Sequence, residues 1–162
     1  MHIHCIFYAG DPMQLTMFTD YALRVLMMVG LKEGELATIP EISERYGISR
    51  NHLMKVVHHL SRAGYLATVR GKGGGIRLAR PASEIRIGAV IRDTEEHLDL
   101  VACFDPARKG QCAIEPACEL KRALRKALDA FLGVMDGYTL ADLIGPSARL
   151  RRLLAIGETA GA

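Results

Sequence analysis

Apolar positions recur with a helical period through the first half of this 162-residue chain, change briefly to a β pattern, and then return to a helical period. From Asp20 to about Lys32, Leu23, Leu26, Met27 and Leu31 fall on one face. Thr19 is placed to cap that helix, Asp20 suits the positive end of its dipole, and Gly34 ends it. Thr38-Ile39-Pro40-Glu41 reads as a capping box with Pro near the first helical position, opening a short helix with Ile42 inward and Gly47 as its stop. Ser49 then caps a longer helix, Arg50 to about Ala63, with Leu53, Val56, Val57 and Leu60 as its apolar stripe. Two helices joined by a tight glycine turn, the second opening on polar and basic residues, form a helix-turn-helix pattern.

After Gly64 two β-rich runs, Tyr65 to Arg70 and Ile76 to Arg80, flank Gly71-Lys72-Gly73-Gly74-Gly75. This predicts a hairpin with a glycine-rich tip, a wing beside the helix-turn-helix. The glycine run lacks the spacing of a phosphate-binding loop, and no helix opens after it. Pro81 breaks the chain, and Ile87 to about Glu95 makes another short helix. The longest helix is expected from Pro116 to about Asp136, with Leu120, Leu124, Leu128, Phe131 and Met135 on one stripe. Ala123, Ala127 and Ala130 would let a partner approach closely, and one small domain leaves so long a helix little to pack on. Lys121, Arg122, Arg125 and Lys126 would line its outer side. Thr139 caps a last short turn through Ile144.

The fold class is therefore mainly α with a small β-hairpin wing: a winged helix-turn-helix domain followed by a long C-terminal dimerisation helix. Residues 1–12 read as an extra N-terminal tail upstream of a second Met, and residues 13–96 as the DNA-binding domain. Residues 97–115 form a cysteine-rich loop, 116–144 the dimerisation helix and final short helix, and 145–162 a flexible tail.

Net charge is only +3, but its distribution is uneven. Between Arg45 and Arg80 lie eight Lys/Arg and no Asp or Glu, the electrostatic footprint expected of a DNA-contacting module. Arg50, Asn51, His52 and Lys55, behind the capping Ser49, would enter a major groove. Arg70, Lys72 and Arg77 on the wing would reach the backbone or a minor groove. No apolar run reaches the roughly 18 residues of a membrane span. The start lacks a signal-peptide pattern, so a cytoplasmic protein is expected.

In that compartment clustered cysteines bind metal or sense redox change more often than they form disulfides. Three of the four cysteines, Cys103, Cys112 and Cys118, fall in one loop, with eight residues between the first pair and five between the second. These gaps fit neither the close pairs of structural zinc nor the tight ferredoxin pattern. Three thiolates in one loop suit three corners of an iron–sulfur cubane. Cys118 would sit in the first turn of the long helix, where the dipole favours thiolate. No convergent acid–base or nucleophile set is present, so enzyme activity is not expected.

The runs MQLTMFTDYALRVL, YGISRNHLMKVVHHLSRAGYLATVRGKGGGIRLARPASEIRIGAVIRDTE and CELKRALRKALDAFLGVMDGYTLADLI resemble the nitric-oxide-sensing repressors of the Rrf family of winged-helix regulators. The resemblance covers about Met13 to Ile144 and implies that Met13 is the usual start. It implies a homodimer on a double-stranded DNA operator, with one iron–sulfur cluster per subunit, four-iron four-sulfur, with a two-iron two-sulfur cluster as the alternative. Its ligands would be Cys103, Cys112 and Cys118 together with Asp20 of the partner subunit, and Arg24 would neighbour that carboxylate. Nitric oxide would act at the cluster, the loop would lose its order, and the paired recognition helices their spacing. Genes for nitric oxide detoxification would then be released.

Two departures matter. The Cys103–Cys112 gap is longer than is usual in the family, which brings Asp105 and Glu115 in as competing oxygen ligands. The family's regulators of iron–sulfur assembly carry a His three residues after the last cysteine, where this chain has Lys121. The alternatives are a regulator on the same scaffold that senses iron, cluster supply or oxygen, and an electron carrier. The latter leaves the basic helix-turn-helix unexplained.

Overall fold

The structure, a computed structural model, describes residues 14–145 and 148–156, so the tail expected over residues 1–12 lies outside the described residues. Helix α1 (Met17–Leu31) starts one turn earlier than its sequence suggests. Its cap is Thr16, whose hydroxyl accepts from the Thr19 amide at 3.2 Å. Thr19 is instead fully buried and donates its hydroxyl to Thr94 Oγ1 at 2.9 Å. A threonine just before an apolar run looks like a cap, but here a partner 75 positions away takes its polar group inside. Ala22, Val25, Leu26, Met28 and Val29 are buried as well, and Leu23 and Met27 partly so, because α1 is packed on more than one side.

Helix α2 (Ile39–Tyr46) has the expected capping box, Thr38 with Glu41, and closes on Gly47 in the left-handed conformation. Helix α3 (Arg50–Arg62) is capped by Ser49 and buries the stripe Leu53, Val56, Val57 and Leu60. Strands β1 (Leu66–Val69) and β2 (Gly75–Leu78) pair antiparallel, with Leu66 opposite Leu78 and Val69 opposite Gly75. Ala37 adds a one-residue bridge to Ile76 through bonds of 2.8 and 2.9 Å, stitching the wing to the α1–α2 connection. A side chain on Gly75 would meet the Ala37 carbonyl oxygen at 2.6 Å, so this close approach needs glycine.

Helix α4 (Ile87–Thr94) buries Ile87, Val90 and Ile91 against α1. Three single turns of 3-10 helix, Ala102–Phe104, Pro106–Arg108 and Glu115–Ala117, make up much of the cysteine loop. Helix α5 (Glu119–Asp136) follows, and α6 (Leu140–Ile144), with its Thr139–Asp142 capping box, returns the chain to α1. The long helix therefore opens at Glu119 rather than Pro116: Cys118 is extended (φ −77°, ψ 100°), and Pro116 belongs to the separate turn before it. Where a flexible tail was expected, Ala148–Leu153 forms helix α7. Arg151 pairs with Glu33 at 2.7 Å and Ile156 packs on the core, which holds this stretch to the body.

The core joins α1, the buried stripes of α3 and α4, Tyr65, Ile76, Ile85 and Leu140. α5 meets it mainly through its C-terminal end. Arg92 forms a fork on the Asp136 carboxylate with both bonds at 2.7 Å, and Arg86 donates to the Asp136 carbonyl at 2.9 Å. The Arg92 hydrogen bond holds the Asp136 carboxyl below the usual carboxylate range. Gly88 lets this junction close, since a Cβ there would collide with the Asp136 carboxylate and lie 2.9 Å from its backbone nitrogen. Gly88→Ala is expected to lower the unfolding free energy by about 1–3 kcal/mol, the usual cost of overpacking, measured by urea denaturation.

Candidate functional site

Because α3 turns its apolar stripe inward, Ser49, Arg50, Asn51, His52 and Lys55 are all exposed. Ser49 also accepts from the His52 amide at 3.3 Å, so its hydroxyl shapes the helix start. The His52 ring leans on Tyr21 of α1 with centroids 6.0 Å apart, and that contact limits its reach. Arg70, Lys72 and Arg77 are exposed on the wing. Sequence reasoning passed over Met54, which is half exposed on α3 although every other apolar residue of that helix is buried. The signal was its place directly beside the Leu53 stripe position. An exposed apolar group on such a helix suits a thymine methyl.

At the far end of α3, His59 lies edge-on to Phe18 with centroids 5.3 Å apart. Tyr65, just before β1, is buried, and the Arg80 guanidinium sits 4.5 Å from its ring centre. Burial first, and then its hydrogen bond to Asp93, push the Tyr65 phenol up to about 12. It thus remains a donor through the physiological range.

The cysteine loop is held by local bonds. Phe104 bonds back to Val101, Arg108 to Asp105, Gln111 to Arg108 and Glu115 to Cys112, all within four residues. One apolar anchor fixes it: Phe104 is buried under the Arg125 guanidinium, 3.8 Å from the ring centre. Arg125 and Lys121 therefore serve the loop and do not simply line an outer face, while Arg122 pairs with Glu119.

Cys118 is the N-cap of α5, its sulfur accepting from the Lys121 amide at 3.3 Å. The Glu115 hydrogen bond raises the Lys121 ammonium above its ordinary value, and the nearby Cys103 adds a smaller contribution in the same direction. Two of the three thiols are thus near the start of α5, whereas Cys112 is exposed. Among the described residues no three His, Cys, Asp or Glu side chains are gathered closely enough to hold a metal ion. As a soft donor set three thiols suit an iron–sulfur cluster, and a segment whose backbone bonds reach only near neighbours opens at low free-energy cost.

The oxygen competitors are already engaged. Glu115 takes a 2.6 Å bond from Lys121 and a 2.7 Å bond from the Gly110 amide, which together hold its carboxyl below the usual range. Asp105 accepts from the Ala107 amide at 2.8 Å. Asp20, in the first turn of α1, pairs with Arg24 one turn on at 2.9 Å, and both are partly exposed. The Arg24 guanidinium also stands 5.8 Å from the Tyr46 ring centre, which joins this pair to α2.

Along α5, Leu128 is buried, while Leu120, Phe131 and Val134 are exposed large apolar residues and Ala123, Ala127 and Ala130 are exposed beside them. A shallow cavity of about 630 Å³ runs beside this face, lined in part by Leu15, Leu98, Leu100 and Phe131. No helix among the described residues is long and apolar enough to cross a membrane.

Comparison with known proteins gives the same architecture. The model of the Rrf2 family, described as an iron-dependent transcriptional regulator, matches residues 15–146. The HTH-type transcriptional regulator NsrR of Geobacillus kaustophilus is 52% identical over 143 residues, covering 88% of this chain and 97% of that protein. Among solved structures, CymR, the global cysteine regulator of B. subtilis, superposes with a TM-score of 0.66 at 26% identity, over 81% of this chain and 95% of its own. IscR of T. potens also superposes at 0.66, with 25% identity over 82% of this chain and 87% of its own. These relatives are regulators rather than enzymes, and the chain belongs to the Rrf2 family of winged-helix transcriptional regulators.

Proposed function

We propose that this protein is a cytoplasmic, homodimeric transcriptional repressor whose affinity for a double-stranded operator is set by an iron–sulfur cluster sensitive to nitric oxide. The observation that carries this reading is the exposed, acid-free surface of α3 and the wing, on the same short chain as three thiols in a locally bonded loop. Similarity to a protein named NsrR supports the signal, because the resemblance that points to nitric oxide rests on the same residues.

Cys103, Cys112 and Cys118 would hold the cluster, four-iron four-sulfur in this reading, and Asp20 of the partner subunit would complete it. The bound cluster would supply the iron at which nitric oxide reacts. The Arg24–Asp20 ion pair orients that carboxylate. The exposed apolar face of α5 supports a second copy, since Leu120, Phe131 and Val134 would otherwise remain in water. A dimer would present two α3 helices to a near-palindromic site. Arg50, Asn51 and Lys55 would read or steady bases in the major groove, and Arg70, Lys72 and Arg77 would hold phosphates. The family model's description favours a second reading, in which iron or cluster supply is the signal.

Four outcomes test this. Anaerobic titration with nitric oxide, followed by visible absorption and by gel shift on the protein's own promoter, should abolish a broad cluster band and operator binding together. A band that ignores nitric oxide moves the signal to iron or oxygen. Cys112→Ala should lose the band; an unchanged spectrum removes Cys112 from the ligand set. Arg50→Ala should cost about 1–3 kcal/mol of operator affinity with dimer mass unchanged, and Lys72→Ala should lower the log–log salt slope by about one.

A further inference from the structure

The last turn of α4 gathers bonds from the elements that would face DNA. The Tyr65 hydroxyl donates to Asp93 Oδ2 at 2.5 Å, and His59 Nε2 lies 2.7 Å from the Asp93 carbonyl oxygen. His59 belongs to the last full turn of α3, and Tyr65 is the residue from which β1 departs. The wing closes back onto the same tyrosine: the Ala79 amide donates to the Tyr65 carbonyl at 3.0 Å, and Arg80 covers its ring. The next two residues tie down α1. Thr94 takes the Thr19 hydroxyl, and Glu95 Oε1 accepts from both the amide and the hydroxyl of Thr16, at 2.8 and 3.1 Å. The cysteine loop begins immediately afterwards.

A hairpin of two four-residue strands has little stability of its own, so its angle to α3 is set by whatever anchors its base. Besides the Ala37–Ile76 bridge on β2, the base of the hairpin is held by the Tyr65–Asp93 hydroxyl–carboxylate bond, stronger than a neutral one. We infer that Asp93 is a positioning residue for operator recognition: it holds the C-terminal end of α3 and the base of the wing to α4 at a fixed mutual angle. A shift of α4 by the adjoining loop would then reach both DNA-contacting elements through one residue. The inference rests on the DNA-facing assignment of α3 and the wing made above.

The test compares the purified full-length protein with its Asp93→Ala, Asp93→Asn, Tyr65→Phe and Asp93→Ala/Tyr65→Phe variants. Each is titrated onto a fragment of its own promoter and onto a random duplex of equal length. Asp93→Ala and Tyr65→Phe should each weaken promoter binding about tenfold, one factor of ten being about 1.4 kcal/mol. Binding to the random duplex should stay within about twofold of wild type, because phosphate attraction does not need a fixed angle. Asp93→Asn, which keeps an acceptor for Tyr65, should recover most of the loss, and the double variant should be no worse than Asp93→Ala.

The ratio of the two affinities is the deciding number, since partial unfolding lowers both together. An unchanged ratio, or additive losses in the double variant, would overturn the inference. A lowered ratio in Asp93→Ala with a wild type that ignores nitric oxide would support it while removing the nitric oxide signal. If Arg50→Ala leaves promoter binding intact, the DNA-facing assignment fails and the inference with it.

Discussion

The burial of α1 is the constraint on which the rest of the structure depends. Ala22, Val25, Leu26 and Met28 have no exposure at all, and removing side chains of the larger kinds from water contributes roughly 1.5–3 kcal/mol each. To cover them, α3, α4, α6 and β2 must all close around one helix. Its first turn then has only two kinds of place for polar groups. Thr19 faces inward and is satisfied by Thr94, which in turn donates to the Val90 carbonyl at 2.8 Å. Asp20 and Arg24 fall on the remaining strip and point outward as a pair. The carboxylate proposed as a cluster ligand for a second copy is therefore placed by packing that has nothing to do with iron.

Against this body the cysteine loop is built on other terms. Its backbone-to-backbone bonds span four residues or fewer, and it contributes one buried side chain, Phe104, pinned by Arg125. Segments with so few buried contacts open at low free-energy cost. The same property explains how three thiols that are not gathered into a metal-sized group among the described residues can still belong to one proposed ligand set. A rigid loop in this conformation would be a poor host, whereas one tied at Phe104 and at the Glu115–Lys121 pair keeps freedom between those ties.

Local signals made most of the fold legible. The Thr38–Glu41 box, Ser49, the Leu53–Leu60 stripe and Thr139 each act within about one turn, and the structure has them as their chemistry requires. What escaped depends on distant partners. Thr19 resembles a cap until Thr94 is beside it, and Ala37 resembles loop until Ile76 bonds to it. The α7 segment resembles a tail until Glu33 and Arg151 meet. At the candidate site, the residue types and their exposure on α3 and the wing followed from periodicity. The exposure of Cys112, and the engagement of Asp105 and Glu115 by neighbouring donors, depend on loop conformation, which spacing alone does not encode.

Helix α4 explains how two such different parts can be coupled. Consecutive residues on an α-helix point about 100° apart, so neighbours can face different bodies. Arg92 reaches the C-terminal end of α5 through its fork on Asp136, and Asp93 reaches Tyr65 at the base of the wing. The loop leaves the end of α4 and re-enters the structure at the start of α5, so it closes a mechanical circuit with these two helices as the other sides. A loop that changes length or order must strain the Arg92–Asp136 junction, turn α4, or lift the start of α5. The first is a paired, bidentate contact and α4 is packed on α1, while the start of α5 leaves Leu120 largely exposed. The start of α5 is thus the least restrained of the three, and it carries the surface proposed to hold a second copy.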